Sequence, residues 1–271
     1  MQAILSALNI YPIKSCRGIS LEAARLASTG FADDRHWMLV RPGGRFVTQR
    51  ELPRMALIAI ELSERAVTLT APGMAPLVVA RRRSGAASAV TVWGFTGRGF
   101  DCGEEAAHWS TSFLGTPLRL MRFDESFPRQ CSAEWTADVH AVTEFSDGFP
   151  ILVISRASLR ELNSRLPKAL PMERFRPNLV IDGVEAYDED RIHELRAGAV
   201  VLRLVKPCTR CVITTTEQTT GERDGVEPLA TLKNYRFDEQ LRGVKFGQNS
   251  IVVSGAGAML TVGEKFEVVW K

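Results

Sequence analysis

Lys206-Pro207-Cys208-Thr209-Arg210-Cys211 is the stretch of the chain with the most chemistry in it. Two thiols separated by two residues admit several readings. A dithiol redox pair is one, but such pairs usually open a helix, and this one runs into the β-branched sequence Val212-Ile213-Thr214-Thr215-Thr216, which predicts a strand over 211–216. Structural zinc is a second; it needs two further ligands, and His193 is the nearest histidine in sequence. A third is a single thiolate on a soft metal, with Arg210 favouring the deprotonated sulfur. Two small core residues are the plain alternative. Tyr11-Pro12-Ile13-Lys14-Ser15-Cys16-Arg17-Gly18 places two cations, a hydroxyl and free backbone N–H groups in one turn, a composition that suits a phosphate or other anion, or else a solvated loop. Arg35, Thr48, Arg50, Arg176 and Asn178 sit at the edges of predicted strands, where arginine forks could read phosphate or a planar heterocycle, or simply be surface charge. Asp147 stands just before a buried strand, as a turn cap or as a carboxylate facing a site.

The 271 residues can bury a substantial core, in one large domain or two modest ones. A hydrophobic content of 45% and a charged content of 24% exclude a disordered or collagenous chain. The net charge of +3 does not imply a nucleic-acid binder. Five cysteines (Cys16, Cys102, Cys131, Cys208 and Cys211), an odd number and widely spaced except for the last two, do not form a secreted disulfide framework, so a reducing cytoplasm is expected. The start of the chain does not read as a signal peptide, and no apolar run is long enough to span a membrane.

The elements that must position these groups are mostly strands. They are predicted over 3–11, 36–40 and 45–49 around the Arg41-Pro42-Gly43-Gly44 turn, 56–62 paired with 66–70, 77–82, 89–94 and 117–123. A helix is predicted over 104–114, with Glu104 and Glu105 in its first turn and Gly115 as its stop. The polar stretch 124–148 reads as the connection between two halves. Strands follow at 150–155, 178–181 and 200–205, then at 249–254 and within the last dozen residues. Ser155 caps a helix over 156–166, and Glu227-Pro228 opens a short helix to about Tyr235, with proline at its first position. The fold expected is a β-rich α+β protein with a barrel in the second half.

Seven segments, in order, carry a family resemblance: 11–18, 33–40, 48–55, 145–155, 174–181, 209–221 and Phe246-Gly247-Gln248-Asn249. Together they resemble a MOSC domain protein with the associated N-terminal β-barrel domain, of the amidoxime-reducing kind found in mitochondria and bacteria. The resemblance implies an N-terminal β-rich domain over 1–123 and a MOSC β-barrel domain over 124–271. It implies a molybdenum cofactor (Mo-molybdopterin) whose metal takes the Cys211 thiolate, with Cys208 a neighbour rather than a ligand. Lys14, Ser15, Arg35, Thr48, Arg50, Arg176 and Asn178 match positions around the pterin or its phosphate. Thr209 and Arg210 flank the ligand, and Asp147 matches an acidic residue close to the metal, placed with Cys211 in the catalytic set as a residue that could relay a proton.

Enzymes of this kind reduce N-hydroxylated compounds to the parent amine or amidine. The resemblance therefore implies a reductase of amidoximes, hydroxylamines and N-hydroxy bases; a carrier of the cofactor or of sulfur, without turnover, is the alternative. Eukaryotic relatives carry an N-terminal membrane anchor, whereas this sequence opens almost at its first predicted strand, so a soluble protein is expected. No cysteine follows Cys211, so no ferredoxin-type cluster does either. Electrons are then expected from a separate ferredoxin- or cytochrome b5-like partner with its reductase.

Overall fold

Seven strands close into a barrel in the order Ile151–Ser155, Leu179–Asp182, Gln2–Ile10, Lys265–Trp270, Ile192–Ala197, Val200–Thr209 and Gly243–Ser254, the last pairing back onto the first. The computed structural model describes residues 1–83 and 85–271. Six of the seven pairings are antiparallel; Ile151–Ser155 runs parallel to Leu179–Asp182. A parallel pair needs a crossover, and the helix Arg156–Arg165 supplies it. Ser155 starts that helix as the sequence predicts, its hydroxyl accepting from the Ser158 N–H. Alternation along the strands turns Leu5, Val153, Ile181, Leu195, Leu202 and Phe266 inward, each fully buried. Gly247 lies in the long strand at φ +83, where a Cβ would come within 2.6 Å of Ile154 Cγ1. Glycine is required at that point for the strand to lie against Ile151–Ser155.

Ala23–Ala27 joins Gly30–Phe31 and Met259–Thr261 in one small sheet, while most of the rest of the first half folds as two others. One orders Trp37–Val40, Arg119–Phe123, Phe95–Asp101 and Ala87–Val92; the other is the meander Ala59–Leu62, Ala66–Thr70 and Leu77–Ala80. The helix Glu104–Leu114, closed by Gly115 in the left-handed region, packs Trp109 and Phe113 into their shared core with Trp37, Leu39, Val67 and Leu69. Among the described residues no helix is long and apolar enough to cross a membrane.

Several expected elements differ. Residues 45–49 form isolated bridges rather than a strand, because Val47 N–H bonds to Leu39 while Phe46 N–H bonds to Thr91. Pro53 opens a 3-10 turn over Pro53–Leu57, so the strand expected from 56 begins at Ala59. Pro228 caps the helix Leu229–Lys233 instead of occupying its first position. Of the strand expected over 211–216, only Thr216 is in one, the short Thr216–Glu217. Cys211 precedes a 3-10 turn, Val212–Thr215, in which Thr214 and Thr215 hydroxyls donate back to the carbonyls of Cys211 and Val212. That side-chain competition with the ladder overrides the β-branched pattern.

Candidate functional site

Lys14, Ser15, Arg35, Thr48, Arg50, Asp147, Arg176, Asn178, Thr209, Arg210 and Cys211 all line one open cleft, with Cys208 and Phe175 beside them. They arrive on loops at strand ends. Pro12 ends the strand Gln2–Ile10, and the next turn is fixed by Lys14 N–H on the Trp37 carbonyl. Ser15, Arg35 and Arg176 all have positive φ (+66, +51 and +57), a conformation unfavourable for residues with a Cβ. Three such residues on one cleft mark a place where position is held against backbone preference.

Tyr11 organises the cationic wall. The guanidiniums of Arg35 and Arg176 lie 4.4 and 4.2 Å from its ring centroid. Its hydroxyl donates to the Pro177 carbonyl at 3.1 Å. Arg35 Nη1 donates to Asp34 Oδ2 (2.5 Å) and to Asn178 Oδ1 (2.9 Å), and Asp34 in turn accepts from Tyr11 N–H. Asn178 also accepts from Leu152 N–H and donates to the Asn9 carbonyl. Its amide is therefore spent largely on holding Arg35 and two strands. Arg176 Nη1 donates to the Cys16 carbonyl at 2.7 Å. Burial, reinforced by Arg35, brings Arg176 down to about 10, with Tyr11 opposing.

The opposite wall carries sulfur. Arg210 Nη1 lies 2.9 Å from Cys208 Sγ, and its Nη2 donates to the Phe175 carbonyl. Cys208 and Cys211 are both reduced and half-buried. Among the described residues no group of three or more His, Cys, Asp or Glu side chains could hold a metal ion, so the zinc reading has no ligand set. A metal at Cys211 would draw its remaining ligands from a bound molecule.

Lys14 and Asp147 close the third side. Lys14 Nζ donates to Asp147 Oδ1 (2.6 Å) and to the Phe145 carbonyl (2.8 Å). Burial lowers Lys14 to about 8 against the pull of Asp147. Protein around Asp147 raises its pKa, but Lys14, Trp93 Nε1 and Arg50 outweigh that and hold the carboxyl well below the usual range. Arg129 fixes this loop by donating to the carbonyls of Glu144, Ser146 and Asp147. Arg50 lies 4.5 Å from the Trp93 ring, and Thr48 Oγ1 accepts from Arg50 N–H.

Arg50 Nη1, Arg176 Nη2 and Arg210 Nε are buried and have no hydrogen-bond partner. Buried donors left unpaired are costly, and three arginines lining one cleft with donors to spare suit an anion or a polar heterocycle. Sequence reasoning did not assign roles to Tyr11 and Asp34, although both lie in segments it singled out. Trp93 and Arg223 had no local signal, since they act on residues far away in the chain, and Arg129 lies in the polar stretch that reads only as a connection.

Residues 2–117 match the MOSC N-terminal beta barrel domain, and residues 140–267 match the MOSC domain. Mitochondrial amidoxime reducing component 2 of Bos taurus is 38% identical over 242 residues, covering 86% of this chain and 72% of that protein. Mitochondrial amidoxime-reducing component 1 of Homo sapiens is 38% identical over 237 residues, covering 84% and 70%. With a MOSC domain behind a MOSC N-terminal beta barrel, the chain belongs to the MOSC family and is homologous to the mitochondrial amidoxime reducing components.

Proposed function

We propose that the chain is a molybdenum cofactor-dependent oxidoreductase that reduces N-hydroxylated compounds (amidoximes, hydroxylamines and N-hydroxy bases). Its electrons come from a separate ferredoxin- or cytochrome b5-like protein with its reductase. One observation carries the reading. A half-buried thiol, Cys211, lines a cleft whose walls include three arginines, Arg50, Arg176 and Arg210, each with a buried nitrogen that has no hydrogen-bond partner. Molybdenum in a dithiolene is soft, takes a thiolate ligand, and when bound supplies the two-electron removal of oxygen.

The chain's own groups do the rest. Cys211 Sγ is the metal ligand. Arg35, Arg50 and Arg176 bind the phosphate and the pterin edge, with Arg35 and Arg176 preset by Tyr11. Ser15, Thr48, Thr209 and Arg210 line the same cradle, and Asn178 orients Arg35. Reducing an N–OH group breaks the N–O bond, forms N–H and water, and consumes two protons and two electrons. Lys14 Nζ, at about 8, holds a proton that it can release to the substrate near neutral pH, and Asp147 Oδ1, which stays ionised, accepts its hydrogen bond and supports the ammonium.

The test is protein made in a host that synthesises the cofactor. Molybdenum and pterin near one per chain, with sustained benzamidoxime reduction by a reduced dye, are expected. Full loading without turnover would replace the reductase with a cofactor carrier, and absence of molybdenum would overturn both.

A further inference from the structure

The Arg50 loop and the Cys211 turn face each other across the cleft but lie far apart in the chain. A hairpin of Thr216–Glu217 and Glu222–Arg223 joins them. Gly221 at its tip has φ +69, and a Cβ there would lie 3.0 Å from Arg54 Cα and Leu57 Cγ, so the tip is seated on the Pro53–Leu57 turn. Within it, Gln218 and Gln49 exchange amide hydrogen bonds of 3.2 and 3.3 Å, and Gln49 Nε2 also donates to the Ser15 carbonyl at 2.7 Å. Arg223 completes the join. Its Nη1 donates to the Val212 carbonyl (2.5 Å) and to Thr216 Oγ1 (2.6 Å); its Nη2 donates to the carbonyls of Gln49 (2.7 Å) and Arg50 (3.1 Å). Every terminal N–H of the guanidinium is used, and every acceptor is neutral. Two acceptors belong to the segment that follows Cys211, and two to the loop that carries Arg50.

We infer that Arg223 is a positioning residue that sets the Cys211 turn against the Arg50 loop, and so fixes the width of the cleft between the thiolate and Arg50. The inference rests on the reading of this cleft as the cofactor site. A planar fork imposes a fixed separation on the acceptors at its two ends; a lysine, with a single nitrogen, cannot reach both pairs. Displacement of a ligand-bearing turn by a fraction of an ångström is enough to slow a reaction that depends on alignment.

The experiment compares wild type with Arg223→Gln and Arg223→Lys. Hydrogen exchange is read first on cofactor-free protein. In both variants exchange over 47–52 and 211–216 is expected to rise roughly tenfold together, with 104–114 and 151–155 unchanged. In loaded protein kcat per bound molybdenum is expected to fall roughly tenfold, with KM held within about twofold. Exchange that rises in one segment alone, or in neither, overturns the inference. So does an unchanged kcat per molybdenum, which would leave Arg223 a purely structural residue. If the protein binds no molybdenum, the proposed function fails by that measurement, while the exchange arm still decides whether Arg223 couples the two loops. Should Arg223→Gln not fold, Arg223→Lys, which keeps the charge and the stem, carries the same readings.

Discussion

Lys14 Nζ lies 2.6 Å from Asp147 Oδ1, yet the two ends of this ion pair see different surroundings: the Lys14 side chain is 6% exposed and that of Asp147 62%. The cation is anchored inside the protein and the carboxylate stands at the mouth of the cleft. Lys14 therefore titrates near about 8 instead of at its ordinary 10.5, burial being the main cause and Asp147 the main opposing one.

A pH profile follows from that. Between about 8 and 10.5 the unfolded chain holds a proton that the folded chain has released, so this group's contribution to stability rises with pH over that window. Activity runs the other way. If Lys14 supplies a proton, kcat falls as pH rises through about 8. Asp147→Asn removes the charge that supports the ammonium, and the alkaline limb of kcat is expected to move to lower pH. A limb that stays in place in the variant would remove Lys14 from the proton path.

The two cysteines of the pair are expected to behave differently. Cys211→Ser should lower kcat by more than about a hundredfold, since a metal ligand is lost. Cys208→Ser loses a contact with Arg210, whose Nη2 still holds the Phe175 carbonyl, so a change of about threefold or less is expected. Equal losses in steady-state assays, with a reversible disulfide, would favour the dithiol reading.

Tyr11 separates stacking from hydrogen bonding. Tyr11→Phe loses the bond to the Pro177 carbonyl, at a cost of about 1 kcal/mol of stability, but keeps the ring under Arg35 and Arg176. Tyr11→Leu loses the ring, and molybdenum release during dialysis is expected to speed up by roughly 10- to 100-fold. Similar release from both variants would show that the ring does not preset the arginines.

The barrel interior predicts an ordinary core response. Phe266 is fully buried among Ala3, Leu5 and Leu195, and Phe266→Ala should cost about 3–5 kcal/mol in denaturant unfolding. Val226 is 68% exposed, and Val226→Ala should stay within about 0.5 kcal/mol.

The sequence was most readable where one signal dominated locally. The helices at 104–114 and 156–165 carry their signals in the residues that flank them, the stop Gly115 and the cap Ser155. It was least readable where distant groups decide. Residues 192–197 carry His193, Glu194 and Arg196 and do not look like a strand, but Glu194 accepts from Arg196 and Arg203, which makes the strand tolerable in the barrel wall. The Cys211 turn was misread because threonine hydroxyls, not β propensity, set its backbone. At the site, the residue types were legible in the quoted segments. The supports were not: Tyr11 under Arg176 and Arg223 on the Gln49–Arg50 loop depend on contacts between segments more than a hundred residues apart.

The central claim is a bond between the Cys211 sulfur and a molybdenum centre, and X-ray absorption at the molybdenum edge measures it most directly. Loaded wild type and Cys208→Ser are expected to show the same number of sulfur neighbours, and Cys211→Ser one fewer. An unchanged sulfur count in Cys211→Ser, or no molybdenum in any of the three proteins, would contradict the account.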